Sequence, residues 1–210
     1  MKISIEFMTK FFSKDAERSA FGEPTESVKR LVELLPSRGA VLDVGASDGR
    51  HSLFLAEHGF DVTAVDLVPA GLEKIQRLAL ARGVVVKTEV ADASVYSLHD
   101  EYEAIVVVLL LQCLNEEASL RLLREMKAHT KPGGVNVVHV FTKSGDRPRL
   151  DLEEDPTAFY PADGWLKEFY ADWEIVECDS SSGPLIGKFR EDGSPMTSVV
   201  EIVVARKPGV

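Results

Sequence analysis

Three aspartates stand at or near the ends of short apolar runs, and they are the residues best placed to do chemistry. Asp43 lies in Ala40-Val41-Leu42-Asp43-Val44. Asp66 closes Asp61-Val62-Thr63-Ala64-Val65-Asp66, and Asp92 closes the run that begins at Val84. The first run leads at once into Gly45-Ala46-Ser47-Asp48-Gly49-Arg50 and then an amphipathic segment from Ser52 to His58, closed by Gly59. A strand, a glycine loop and a helix in that order suit a nucleotide-type ligand, because the helix N-terminus offers free N–H groups and positive potential. The bland alternative is a β–α turn that uses glycine for geometry alone. The second acid follows the first by 66 − 43 = 23 positions, where the tip of a second strand accepts from ribose hydroxyls. A carboxylate at the third tip can accept from an adenine amine.

Two common ligands fail on the loop itself. A dinucleotide fingerprint starting at Gly45 needs glycine at 47 and glycine or alanine at 50, where this chain has Ser47 and Arg50. A P-loop needs a Gly-Lys-Ser/Thr that does not follow. An acid before the loop also repels a pyrophosphate. A ligand with a cationic amino-acid end and a nucleoside end fits, and S-adenosylmethionine (SAM) is one.

The elements that must position these acids follow in β–α alternation. Strands are expected at 40–44, 61–65, 84–90, 104–109 and 135–141, with helices at 50–58, 69–82 and 116–128. Pro69 suits the first helical turn, Gly83 the stop, and Asn115 an N-cap. A helix over 25–35 with Thr25 as N-cap precedes them, stopped by Pro36. Such alternation predicts an open parallel sheet with helices on both faces and a ligand beyond the C-terminal strand ends. The last third reads as a proline-containing loop over 143–162, a short helix from Asp163 to Tyr170, and strands 173–178 and 199–206 joined by a glycine-rich connection, 180–197. The 210 residues, 45% hydrophobic, suffice for one core. Lys+Arg 24 against Asp+Glu 34, net −10, argues against a nucleic-acid footprint. Cys113 and Cys178 show no metal spacing and suit a reducing cytoplasm. The N-terminus lacks an apolar signal core, and the apolar run 104–111 is too short to span a bilayer. A soluble cytoplasmic monomer or homodimer without membrane or nucleic-acid partner is expected.

Val41 to Arg50, Val65-Asp66, Ala91-Asp92 and Lys131-Pro132-Gly133-Gly134 together resemble the ordered motifs of class I SAM-dependent methyltransferases. Gly49 to Ala56, Gly59 to Asp66 and Leu166 to Glu174 are most similar to the small tellurite-resistance, TehB-like group. The resemblance implies a Rossmann-like α/β three-layer sandwich whose mostly parallel seven-stranded sheet has its last strand antiparallel. It also implies one methyltransferase domain over 25–210 and an N-terminal arm, 1–24, in which Phe11, Phe12 or Phe21 forms a lid over the cofactor or simply docks. The implied cofactor is SAM, with S-adenosylhomocysteine (SAH) as product. In that picture Asp43 orders the glycine loop or receives the methionine ammonium. Gly45, Ala46, Ser47 and Gly49 let the backbone approach, with Ser47 where many relatives carry glycine. Asp66, beside Leu67, holds the ribose, and Asp92, beside Ala93, holds the adenine amine. Val108 and Leu109 offer backbone carbonyls near the methionine.

The acceptor side is thinner. Val107 to Gln112 lacks the Asn/Asp-Pro-Pro-aromatic motif of amino methyltransferases, and Cys113 lacks the preceding proline of cytosine C5 enzymes, so it is expected to pack in the core. His139, Asp146 and Arg147 are the candidate catalytic residues, although a lone histidine on an apolar strand is commonly a core residue. Arg147 and Arg149 suit an anionic acceptor, and Phe159, Tyr160 and Trp165 suit a pocket wall. Tellurite-type relatives carry a His-Arg pair before the last strand, and Pro184 to Lys188 has neither. Methyl transfer to a small molecule is expected: a thiol, selenol or metalloid oxyanion, which needs no strong base, or else an oxygen or nitrogen acceptor. The rivals are a non-catalytic SAM- or SAH-binding regulator and a nicotinamide dehydrogenase.

Overall fold

The computed structural model describes residues 5–13, 17–148, 153 and 155–209. The elements run α1 (Ile5–Phe12), α2 (Glu26–Lys29), α3 (Leu31–Leu34), β1 (Gly39–Val44), α4 (Arg50–Glu57), β2 (Phe60–Asp66), α5 (Pro69–Ala81), β3 (Val86–Val90), β4 (Tyr102–Val108), a 3-10 turn (Leu111–Cys113), α6 (Glu116–His129), β5 (Thr130–Gly145), α7 (Trp165–Phe169), β6 (Glu174–Phe189) and β7 (Pro195–Arg206).

One seven-stranded sheet has the order β3-β2-β1-β4-β5-β7-β6. Strands β1 to β5 pair in parallel, and β7 lies antiparallel between β5 and β6, as expected for this architecture. Alternation along each strand divides the apolar side chains between two layers. Val41, Val62, Ala64, Val106 and Val137 face α4, α5 and the α2–α3 segment; Leu42, Val44, Ile105, Val107 and Val138 face α6, Leu166 and Tyr170. Because β4 lies beside β1 and away from β2, the strand order reverses next to β1. The tips of β3, β2, β1, β4 and β5 then form one continuous ledge.

Most boundaries fall where the sequence put them. Asn115 caps α6, its Oδ1 accepting from the Ala118 N–H at 2.8 Å. Two differences have local causes. The helix expected over 25–35 is two one-turn segments, and the Thr25 hydroxyl makes no cap; it lies 3.1 Å from the Ser27 hydroxyl and 3.4 Å from His51 Nε2 instead. The connection 180–197 is mostly strand, because Ser180 to Pro184 pair in register with Glu201 to Thr197 of β7.

Gly71, on the buried face of α5, is a requirement the sequence did not advertise. A Cβ there would lie 2.2 Å from the Ser47 carbonyl oxygen and 3.0 Å from the Phe12 ring. Gly71→Ala therefore forces the glycine loop off α5 and is expected to destabilise the fold by about 1–3 kcal/mol. Gly183→Ala, where a Cβ meets nothing within 4 Å, is expected to be nearly neutral. Urea unfolding of the two variants checks the contrast.

Candidate functional site

A cavity of about 680 Å³ lies along the strand tips. Its wall includes Gly45, Ala46 and Ser47 after β1, Asp66 and Leu67 after β2, Asp92 and Ala93 after β3, and Val108 and Leu109 at the end of β4. These nine expected residues come together. Met8 and Phe21 of the arm, Gln112 and Cys113 of the 3-10 turn, and Phe141 and Arg147 near the end of β5 complete the parts of the wall that matter here.

The glycine loop is held by its own backbone and by Asp66. The N–H groups of Gly45 and Ala46 donate to the Val65 carbonyl at 2.8 and 3.0 Å. One Asp66 oxygen accepts from the Ser47 N–H at 2.8 Å and the other from the Val68 N–H at 2.9 Å. Burial nevertheless raises the Asp66 carboxyl above the usual range, its hydrogen bonds opposing the shift. Gly45 has φ +78°, and a Cβ on it would press on the Leu110 side chain at 3.1 Å. Ser47 occupies the left-handed region at φ +55°, the conformation that accounts for a glycine preference at its place.

Asp43 is not on the wall. It is 2% exposed and accepts from the Ser52 hydroxyl of α4 at 2.6 Å. Of the two roles expected for it, this geometry matches ordering the loop–helix junction. Burial pushes its carboxyl up to about 6. Gly49 also stays off this wall; at φ +91° it caps α4, where a Cβ would collide with Ile75 at 2.5 Å.

Two of the three candidate catalytic residues are placed against that role. His139 is buried on β5, its Nε2 lies 2.7 Å from the Ser27 hydroxyl, and burial pushes its imidazole down to about 4. Asp146 faces away, paired with Arg190 at 2.5 Å and accepting from the Thr197 N–H at 2.8 Å, which lowers its pKa. Neither lines the cavity. Arg147 does, with its guanidinium 4.0 Å from the Phe141 ring centroid. Of the expected pocket aromatics, Phe159, Tyr160 and Trp165 line no part of this cavity; Phe159 and Tyr160 are buried, and Phe159 packs edge-on against Trp165. Cys113, expected in the core, is exposed on the wall. Arg149 lies outside the described residues.

Sequence reasoning missed the group that joins the arm to the site. Asp48 of the glycine loop is fully buried and 2.8 Å from the ammonium of Lys74 on α5. It also accepts from the Ser19 hydroxyl at 2.6 Å and the Ala20 N–H at 2.7 Å, while Lys74 donates to the Phe12 carbonyl at 3.0 Å. Both described segments of the arm thus converge on one ion pair. Only the lysine's place on the inner face of its helix, between Leu72 and Ile75, could have signalled this.

Removing one member of a buried pair leaves an uncompensated charge, so Lys74→Met is expected to cost about 3–5 kcal/mol in urea unfolding. The double variant Asp48→Asn/Lys74→Met should recover part of that loss. The buried histidines give a second check. Unfolded histidine takes up its proton near pH 6.5, whereas His139 holds out to about 4 and His51 is also pushed down by burial. At these two histidines the unfolded chain therefore binds more protons in this window, and their contribution to stability falls as pH drops from about 6.5 to about 4. Asp43, below about 6, and Asp66, whose carboxyl is also raised by burial, act in the opposite sense. His139→Gln should make the fall shallower by up to about one proton in the slope of unfolding free energy against pH.

The family model for tellurite resistance protein TehB matches residues 8–196. The "Probable S-adenosyl-L-methionine-dependent methyltransferase TehB" of Haemophilus influenzae is 29% identical over 198 residues, covering 94% of this chain and 66% of that protein. "Hemagglutinin 1" of Eikenella corrodens is 28% identical over 168 residues, covering 80% of this chain and 54% of that one. The chain thus spans about half to two thirds of the length of these curated relatives. The crystal structure of TehB from Haemophilus influenzae superposes with a TM-score of 0.75 at 27% identity, covering 95% of this chain and 67% of that one. No described helix is long and apolar enough to cross a membrane. The fold, the loop at its switch point and a match over most of its length agree: this chain belongs to the TehB family.

Proposed function

We propose that this protein transfers the methyl group of SAM to a small soft nucleophile. The observation that carries the reading is the cavity itself, in which the glycine loop, Asp66 and Asp92 occupy three neighbouring strand tips. The residues fit the cofactor. Left-handed Gly45 and Ser47 turn the loop along the cavity wall, Asp66 keeps unused lone pairs for ribose hydroxyls, and Asp92 stands one strand further on for the adenine amine. When bound, SAM supplies a sulfonium-activated methyl carbon. Alignment and exclusion of water are then the protein's main contributions. Met8 and Phe21 cover the cavity from the arm, which supports the arm as a lid whose anchor is Asp48–Lys74.

The acceptor half lies toward β5, where Phe141 and Arg147 stand. A fixed cation there favours an anionic acceptor, and the family description favours a metalloid oxyanion. The two expected bases are withdrawn from the cavity, which suits a soft acceptor that needs no strong base: a selenolate or metalloid oxyanion already ionised at neutral pH, or a thiol, whose pKa of about 8.5 lies close to it. In this reading Arg147 orients the acceptor, and His139 and Asp146 stabilise the fold.

Calorimetric titration with SAM, SAH and NADH tests the cofactor half. Micromolar binding of both adenosyl ligands and none of NADH is expected, and Asp66→Ala should weaken SAM binding by about tenfold or more through loss of buried hydrogen bonds. Unchanged affinity in that variant places the ribose elsewhere. Adenosyl binding without methyl transfer to thiols, selenols or metalloid oxyanions would favour a non-catalytic binding protein.

A further inference from the structure

A second cavity, of about 710 Å³, lies along one face of α4. Arg50, Leu53, Phe54 and Glu57 line it, at the spacing that puts side chains on one side of a helix. Residues 18–20 and 22–24 of the arm complete its wall, together with Phe11 of α1 and Arg82, the residue after α5. Among the described residues it shares only Arg50 with the first cavity. The two are separate spaces that meet at one guanidinium.

The wall has the chemistry of an anion site with apolar surface beside it. Three guanidiniums, Arg18, Arg50 and Arg82, line it on a chain of net charge −10. Of its two carboxylates, Glu57 is engaged, accepting from Arg82 Nη1 at 3.1 Å, and Glu23 is exposed. Arg50 is half-buried, and the one hydrogen bond it makes among the described residues runs from Nη1 to the Phe21 carbonyl at 3.1 Å. A guanidinium has five N–H donors in a planar fork, so Arg50 can take an oxyanion and keep its hold on the arm. Burial lowers the pKa of this guanidinium, against the opposing pull of Asp43 and Asp48, and an anion alongside favours the charged form. Buried Leu53 and the Phe54 ring supply the apolar surface.

The same parts reach the first cavity. Phe21 lines that cavity, Phe11 lines this one, and their ring centroids are 5.1 Å apart. The Phe21 carbonyl is also what Arg50 holds. We propose that the second cavity binds a small organic anion with a flat apolar body, and that its occupant is coupled to the first cavity through Arg50 and the arm. The anionic group sits among Arg18, Arg50 and Arg82, and the apolar body packs on Leu53 and Phe54. An occupant held by the arm and by both helices keeps the arm in place, and with it the Phe21 wall of the first cavity, so each ligand tightens the other. The site stands apart from the SAM reading; only its coupling rests on it.

The probe is anilinonaphthalene sulfonate, a flat apolar body with one sulfonate, set against phenylnaphthylamine, its uncharged counterpart. Fluorescence titration is run with saturating SAH, so that the first cavity is filled. Saturable binding of the sulfonate about tenfold tighter than that of the amine is expected. Arg82→Gln should weaken the sulfonate about fivefold and leave the amine within about twofold. In calorimetry, SAH should bind about fivefold tighter to protein saturated with the sulfonate. Displacement of the sulfonate by SAH overturns the proposal, as does wild-type sulfonate affinity in both Arg82→Gln and Arg18→Gln. Unchanged SAH affinity with the sulfonate bound overturns the coupling. Failure of SAH to bind at all overturns the cofactor reading instead, and the arginine variants titrated without SAH still decide the site.

Discussion

The buried Asp48–Lys74 ion pair is the constraint on which the rest of the site depends. Two charges removed from water are costly unless their remaining hydrogen-bonding capacity is met. Here Ser19, Ala20 and the Phe12 carbonyl meet it. Those partners come from the arm, the aspartate from the glycine loop and the lysine from α5. A single electrostatic requirement thus fixes three parts of the chain that are distant in sequence. Its result is a loop clamped from behind and an arm whose Met8 and Phe21 line the cavity.

Clamping matters because the loop carries strain. Ser47 is left-handed at φ +55° with its carbonyl packed on Gly71, and its N–H is tied to Asp66. At the opposite bank Leu109 is left-handed too. Non-glycine residues adopt that region at a cost and persist in it when their surroundings over-determine them. Both strained residues line the cavity.

Beside the cavity lies a layer of buried polar groups: Asp43 with Ser52, His139 with Ser27, and His51, which also lines the cavity, with Thr25. These pairs join β1 to α4, β5 to α2, and α4 to the segment before α2. Their shifted protonation follows from burial: the carboxyl is raised and the imidazoles are lowered. At neutral pH the two imidazoles are therefore uncharged, while the Asp43 carboxyl, at about 6, remains largely ionised and is held by the Ser52 hydroxyl.

The acids Asp66 and Asp92, the glycine loop, the β–α alternation and the Asn115 cap were legible in the sequence. They are local: strand periodicity, glycine at a sharp turn and a capping side chain three residues before its donor all act within a few positions. Asp43 was legible as an acid and ambiguous as a role, because whether it faced ligand or helix depended on how α4 seats Ser52. The burial of His139, the capture of Asp146 by Arg190, the exposure of Cys113 and the partnership of Asp48 with Lys74 were decided by tertiary structure. Each depends on residues 26 to 112 positions apart or on which side of a short turn faces a cavity. By itself the sequence determined a parallel sheet whose strand tips carry acids beside a glycine loop. Which polar side chains reach that ledge, and which are spent holding it together, followed from packing, since only the folded chain brings their partners within hydrogen-bonding distance.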